Sequence, residues 1–319
     1  MPHILVSKKI ADPGIELLRA QDDFTVEVLD DYTQEQFADS LAGSDGVILF
    51  FQPLKAAAIA GAPRLKVVSR HGVGYDSVDV ATLDERNIPL TITPGANAVA
   101  VAEHAISLLL AVARRSASFD IDVRAGIWSR KPITPMFELS GKRALIVGAG
   151  RIGTATAQRL RAFDMDVQAY DPALPDDAVI GGGLERVRDL HKALAQADVV
   201  SLHVPLTTAT RNLIDPRQMK LGSILINTAR GGVINEAGLL EALESGHILG
   251  AGVDVFEVEP LPAEHPLCLL ENVVLSPHIS ALTDGGLHRM SLEAAQNVID
   301  YFRGSLKPEV VVTKRVLAA

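Results

Sequence analysis

The sequence contains a single cysteine, Cys268, in 319 residues. A disulfide within the chain is therefore excluded, and a reducing, cytoplasmic setting is expected. Aromatic residues amount to only 4%, so Ala, Val, Leu and Ile must build the core. Positive charge is in deficit. The formal net charge of −9 argues against nucleic acid or an anionic membrane surface as the main partner. Long apolar runs are also missing. The most apolar window, Ala98 to Ala113, holds Glu103 and His104 and ends at Arg114-Arg115. It is too short and too polar to span a bilayer, and it reads as a helix buried in the protein. The start, Met1-Pro-His-Ile-Leu-Val-Ser-Lys-Lys, has no basic segment ahead of an apolar stretch, so no signal peptide is expected.

What is present suits a globular protein of two ordinary domains: 48% hydrophobic and 22% charged residues. The chain is organised around Arg143-Ala-Leu-Ile-Val-Gly148-Ala-Gly150-Arg151-Ile152-Gly153. Arg143–Val147 reads as a strand, the glycines follow in GxGxxG spacing, and Thr154–Phe163 reads as a helix. Asp166–Tyr170 reads as the next strand, with Asp171 at its end. Strand, glycine turn, helix, strand and acid make a dinucleotide-binding unit. Gly148 makes the tight turn. Gly150 lets a pyrophosphate approach the backbone, where the helix N-terminus offers free N–H groups. Gly153 lets helix and strand pack closely. Asp171 can accept hydrogen bonds from ribose hydroxyls and repel a 2′-phosphate, which favours NAD over NADP.

Ahead of this unit, apolar segments at Ile4–Ser7, Phe24–Leu29, Gly46–Phe51, Val67–Arg70 and Leu90–Thr93 read as strands. Helical patterns alternate with them at Pro13–Ala20, Thr33–Leu41 and Val78–Arg86, which predicts a parallel α/β sheet. Asn97 is placed as the N-cap of a long helix, Ala98–Ser116. After the nucleotide unit come strands at Val199–His203, Ser223–Asn227, Gly250–Phe256 and Val273–Ser276, with a helix at Glu236–Ser245. The last long helix, Gly285–Phe302, has no following strand to rejoin the middle sheet and is expected to cross back onto the first domain. The expected fold is thus α/β with two Rossmann-like or flavodoxin-like parallel-sheet domains and a cleft between them. One domain is formed by 1–97 plus 285–319 and the other by 98–284.

Ligands in such sheets sit at the carboxyl ends of the strands. Those positions carry Thr228-Ala229-Arg230, then Asp254 leading to Glu257-Val-Glu259, then Pro277-His278. An arginine can clamp a carboxylate and polarise a carbonyl. A histidine can deliver a proton to a developing alkoxide. A carboxylate can hold the imidazole. On spacing alone, Glu257 and Glu259 both qualify. Hydride transfer to a 2-keto acid needs these residue types. Cys268 reads as a half-buried small apolar residue, and no metal site is expected.

NTARGGVINE, GVDVFEVEP and SPHISA, together with VGAGRIG and Asp171, resemble the D-2-hydroxyacid dehydrogenase family over nearly the whole chain. The resemblance implies a catalytic set of Arg230, Glu259 and His278, with Glu259 rather than Glu257 as the acid. It implies a substrate domain made of both chain ends, and a homodimer built in part by the helix after the first domain. Gly72-Val73-Gly74 resembles the loop whose N–H groups bind the substrate carboxylate, and Asn97 matches a position at the cleft. His203, Pro205, Thr228, Ala229, Asp254, Ser280 and Ala281 match the lining of the NAD site, with Asp254 near the carboxamide.

Within the family, Ser-Arg70-His-Gly-Val-Gly and Trp128-Ser-Arg130-Lys131 resemble D-3-phosphoglycerate dehydrogenases, where arginines at both places serve the substrate phosphate. The expected activity is therefore interconversion of 3-phosphoglycerate and its keto acid. The chain ends soon after the last helix, so a regulatory domain is not expected. Hydroxypyruvate or glyoxylate reductase is the alternative. A different class, the NAD-sensing corepressors known as C-terminal-binding proteins, resembles the same family and keeps the same three residues.

Overall fold

Ile4, Leu5 and Val6 have no exposed surface at all. A strand buried on both faces belongs inside a parallel sheet covered by helices on each side. The computed structural model, which describes residues 1–128, 136–175, 180 and 183–317, places them in that way. The chain divides into two compact units, Met1–Asn97 with Leu282–Ala319, and Ala98–Ala281.

The first unit runs β1 (His3–Val6), α1 (Asp12–Arg19), β2 (Thr25–Val28), α2 (Gln34–Ala42), β3 (Gly46–Leu49), α3 (Ala56–Ala60), β4 (Val67–Arg70), α4 (Val80–Glu85) and β5 (Leu90–Thr91). Its five strands are ordered β2-β1-β3-β4-β5 and pair in parallel throughout. This is the flavodoxin-like order. Thr33 starts α2 with a reciprocal cap. Its hydroxyl accepts the Gln36 N–H at 3.2 Å, and Gln36 Oε1 accepts the Thr33 N–H at 2.8 Å.

The second unit continues with α5 (Ala98–Arg114), α6 (Ser116–Arg124), β6 (Arg143–Val147), α7 (Arg151–Arg161), β7 (Asp166–Tyr170), β8 (Glu185–Arg186), α8 (Leu190–Gln196), β9 (Val199–Leu202), β10 (Ile224–Asn227), α9 (Glu236–Glu244), β11 (Gly250–Val253) and β12 (Val273–Leu275). The sheet order is β12-β11-β10-β9-β6-β7-β8, again parallel. Apolar clusters fill both faces. Leu145, Val200 and Leu225 point to one, Ile146, Val199 and Ile224 to the other.

The chain then returns to the first unit as α10 (Asp284–Arg303). α10 lies against α1 at a glycine. A Cβ on Gly14 would stand 2.2 Å from Ser291 Oγ, and the Gly14 N–H donates to that oxygen at 3.1 Å. The Ser69 hydroxyl donates to the Ala294 carbonyl at 2.9 Å, tying α10 to β4. Beyond α10 the tail bonds to β5 through Ile92 N–H to Val310 O (2.9 Å) and Val312 N–H to Leu90 O (2.8 Å).

Three local expectations fail. Cys268 is exposed rather than half-buried. The long helix ends at Arg114 rather than Ser116, because Arg115 takes φ +50° and a new helix starts. Asn97 does not cap α5 with its side chain: Asn97 Oδ1 is buried without a hydrogen bond among the described residues. α3, α6, α8 and β8 add to the elements expected from the sequence. Among the described residues no helix is long and apolar enough to cross a membrane.

Candidate active site

From β6 the chain moves outward to β7 and β8, then returns to place β9 on the other side of β6. The ends of β6 and β9 therefore flank the switch point where doubly wound sheets bind ligands. Gly148 follows β6 at φ +100°. A Cβ there would lie 2.6 Å from the His203 carbonyl group beyond β9. Only glycine permits that approach. A Cβ on Gly153 would meet the Gly148 carbonyl oxygen at 1.9 Å, so the first turn of α7 rests on the glycine turn. At Gly150 a Cβ would meet nothing within 4 Å. That open ground lies before an α7 N-terminus with no side-chain cap, where unpaired N–H groups suit a pyrophosphate.

Asp171 stands at the end of β7. Its Oδ2 accepts the Ala149 N–H at 2.8 Å and its Oδ1 the Ala173 N–H at 2.9 Å. The acid therefore braces the glycine turn and keeps lone pairs for further donors. Nearby polar groups lack partners: His203 Nδ1 and Thr228 Oγ1 are buried with no hydrogen bond among the described residues. His203 Nε2 sits 2.9 Å from Ser201 Oγ. Burial pushes the His203 imidazole down to about 3, so it is neutral at working pH. Glycine turn, open helix end, acid and orphaned polar atoms together fit a dinucleotide.

Three strand ends further along the sheet carry the polar set. After β10, the Asn227 side chain staples its own loop, donating to Arg230 O at 2.9 Å and accepting the Ala229 N–H at 3.0 Å. Arg230 Nη1 donates to Ala229 O at 2.6 Å. Next comes Gly231, where a Cβ would stand 2.0 Å from the Phe256 carbonyl carbon and 2.3 Å from Glu257 N. Its bareness lets the Arg230 loop lie directly on the backbone leading to Glu259.

Glu259 Oε1 accepts the Phe256 N–H at 2.9 Å, and Oε2 lies 2.7 Å from His278 Nδ1. Glu259, not Glu257, is thus the acid joined to the histidine. Burial pushes its carboxyl up. The bonds from His278 and Phe256, with the charges of His278 and Arg230, outweigh burial and hold it below the ordinary value. His278 adopts φ +53°, with its N–H donating to Asp254 O at 2.8 Å. Asp254 has no exposed surface. Its carboxylate accepts from the Ser276 hydroxyl (2.6 Å), Ile279 N–H (3.0 Å) and Ser280 N–H (3.0 Å).

In the first unit, Arg70 ends β4 and turns back on its own loop. Its Nε donates to Gly74 O at 2.8 Å, and its Nη1 to Leu49 O at 3.0 Å and His71 O at 3.2 Å. Gly72 sits at φ +135° and its carbonyl accepts the Thr93 N–H at 3.0 Å. Arg70 therefore braces the Gly72-Val73-Gly74 loop. Arg130 lies outside the described residues. The Pro205 carbonyl accepts the Thr210 hydroxyl at 2.6 Å, and Ala281 is the last residue of the second unit. Sequence reading gave no role to Gly231, Asn227, Ser276 or His104. The first three flank strand ends already singled out, but nothing in the sequence signalled His104.

A doubly wound sheet with this glycine turn, and with arginine, acid and histidine on its carboxyl rim, defines a dinucleotide-dependent dehydrogenase. Residues 106–280 match the family model described as D-isomer specific 2-hydroxyacid dehydrogenase, NAD binding domain. A glyoxylate reductase from Thermofilum pendens is 40% identical over 99% of this chain and 96% of its own length. A D-3-phosphoglycerate dehydrogenase from Archaeoglobus fulgidus is 36% identical over 94% of this chain, a match spanning 57% of the relative. The solved structure of an NAD-dependent formate dehydrogenase from Staphylococcus aureus in complex with NAD superposes with a TM-score of 0.85 at 28% identity, covering 98% of this chain and 99% of that one. The chain belongs to the D-isomer specific 2-hydroxyacid dehydrogenase family. It is an NAD-dependent oxidoreductase acting on the CH–OH group of a 2-hydroxy acid, and the corepressor alternative gives way to the enzyme.

Proposed function

We propose that this enzyme reduces a small, unphosphorylated 2-keto acid of the glyoxylate or hydroxypyruvate kind to its D-2-hydroxy acid. NADH supplies the hydride when bound. Arg230 pairs with the substrate carboxylate and polarises the carbonyl. His278 gives a proton from Nε2 to the carbonyl oxygen as it gains negative charge. Glu259 accepts from Nδ1, which fixes the ring so that Nε2 faces the substrate. Asp171 is assigned to the ribose hydroxyls, and Asp254 to the nicotinamide carboxamide. His203, Thr228 and Ser280 are assigned to the lining of the same site. The contact between His278 Nδ1 and Glu259 Oε2 at 2.7 Å is the observation that carries the reaction type.

For the substrate, the engagement of Arg70 moves the reading away from the phosphorylated acid. Three carbonyl oxygens already take its N–H groups, which suits bracing the Gly72–Gly74 loop better than receiving a phosphate. Three glyoxylate reductase relatives that align over 96% of their own length support the same reading. NADH oxidation measured with glyoxylate, hydroxypyruvate, pyruvate and phosphohydroxypyruvate tests it. Preference for phosphohydroxypyruvate, lost on removing Arg70, would restore the phosphoglycerate dehydrogenase reading.

The working form is proposed to be a cytoplasmic homodimer. α6 has no buried residue, and Phe119, Ile121, Val123, Ile127 and Trp128 are exposed in and after it. So many exposed apolar side chains in one short segment suit an interface. Ile121→Glu combined with Val123→Glu is expected to give a monomer in sedimentation. A dimer that survives both changes would place the interface elsewhere.

A further inference from the structure

His104 stands in the middle of α5, where Ala100, Val101, Ala102, Ala105, Ile106, Leu108 and Leu109 are buried. Its Nε2 lies 2.9 Å from Ser276 Oγ and 3.5 Å from Asp254 Oδ1. The Ser276 hydroxyl donates to Asp254 Oδ1 at 2.6 Å. A serine has one hydroxyl hydrogen. With that hydrogen on Asp254, Ser276 Oγ can only accept from the imidazole, so His104 Nε2 carries the hydrogen that faces it. The chain of donors runs one way: His104 Nε2–H to Ser276 Oγ–H to Asp254 Oδ1.

We propose that His104 is a positioning residue of the NAD site, acting through Ser276 on Asp254 and on the loop that bears His278. This rests on the assignment of Asp254 to the carboxamide. Asp254 is wholly buried and needs donors to remain a carboxylate. Burial pushes its carboxyl up, and the donors around it, His104 and Ser276 foremost, hold it below its ordinary value. Oδ1 takes two donors and Oδ2 takes one, from Ser280. Were the Ser276 hydroxyl to turn toward α5, Oδ1 would lose its shortest bond. The imidazole prevents this by occupying the serine's acceptor side with a donor. The same carboxylate accepts from Ile279 and Ser280, and the Asp254 carbonyl accepts from His278 N–H. Orientation of the cofactor and of the proton donor therefore share one anchor.

The experiment measures NADH affinity by fluorescence without substrate, then kcat, KM and Tm, on the full enzyme and its variants. His104→Ala is expected to weaken NADH binding roughly three- to tenfold, the effect of one lost hydrogen bond, and to lower kcat by at least as much. KM for the keto acid should change less. Glutamine places an amide nitrogen where Nε2 stood, so His104→Gln should restore both to within about twofold. Asparagine reaches only the Nδ1 position, so His104→Asn should not restore them. Ser276→Ala should reproduce the loss, and the double variant should be no worse than either single one. If His104→Ala lowers Tm but leaves NADH affinity and kcat unchanged, the histidine is structural and the proposal fails. It fails equally if Gln and Asn behave alike, or if the two losses add. Asp254→Asn tests the underlying assignment separately: unchanged NADH affinity there would overturn the carboxamide role itself.

Discussion

His278 Nδ1 lies 2.7 Å from Glu259 Oε2, while the other oxygen of that carboxylate accepts the Phe256 N–H at 2.9 Å. One acid thus fixes a ring and is itself fixed by the backbone that leads to it. Because the bonds and charges around Glu259 hold its carboxyl below the ordinary 4.5 despite burial, it is ionised across the neutral range. Activity that depends on it is full above its depressed value and is lost only as pH falls through that value. Glu259→Gln is expected to lower kcat by roughly 10²-fold or more, and His278→Ala by roughly 10²–10⁴-fold. NADH affinity should hold in both. An acid limb in the unmodified enzyme at or above pH 4.5, abolished by Glu259→Gln, would contradict the depressed carboxyl.

Gly231 lies next to Arg230 and has no room for a methyl group. Its Cβ would meet the Phe256 carbonyl carbon at 2.0 Å, which is backbone and cannot yield as a side chain can. Gly231→Ala must therefore move the Arg230 loop relative to Phe256 and Glu259. Misplacement of about 1 Å can cost ~10²-fold in rate, so kcat/KM should fall by roughly 10–10²-fold with NADH affinity nearly unchanged. Gly43→Ala, whose Cβ would meet only Ser40 O at 3.8 Å, is the control that should leave activity intact. Equal behaviour of the two variants would mean that the close approach at Gly231 carries no constraint.

The sequence made the parallel sheets legible because their strands are short, β-branched and apolar on both faces, as at Val67-Val68 and Ile224-Leu225-Ile226. It made the strand-end residues legible because position at a carboxyl rim follows from strand order. Helix α6 could not be read: its apolar residues are exposed, so periodicity has no buried face to report. The packing face of α10 was obscure because it is built on small groups, Ser291 and Ala294 against Gly14 and Ser69, rather than on a leucine stripe. The tie between His104 and Ser276 spans 172 residues, and no local pattern encodes such a pairing. The second role of Arg70 was likewise hidden, since its acceptors are carbonyl oxygens, which every residue supplies.

Asp171 does two things that separate variants can divide. Its Oδ2 accepts the Ala149 N–H in the glycine turn, and its charge opposes a 2′-phosphate. Asp171→Asn keeps an acceptor for Ala149 and removes the charge. The NADPH to NADH ratio of kcat/KM should then rise roughly tenfold, a change of about 1.4 kcal/mol. Asp171→Ala removes the acceptor as well, so KM should rise for both cofactors. An unchanged ratio in Asp171→Asn would show that another group selects the cofactor.

His71 supplies an acid-sensitive element in the first unit. It is 3% exposed, and neither ring nitrogen has a hydrogen bond by geometry among the described residues. The ring packs edge-on against Phe50 with centroids 4.9 Å apart. Burial first, and the neighbouring Arg70 charge second, push the imidazole down to about 4. In the unfolded chain a histidine titrates near ~6.5. Between these values the unfolded chain binds a proton that the folded one refuses. The stability contribution is therefore complete above ~6.5 and declines as pH falls toward about 4, by at most ~1.4 kcal/mol per pH unit. His71→Phe keeps an aromatic ring beside Phe50 and removes the titrating group. Urea denaturation from pH 7 to pH 4.5 should show the unmodified protein losing up to roughly 3 kcal/mol more than His71→Phe over that range. Parallel curves would mean that His71 takes up its proton in the folded state as readily as in the unfolded chain.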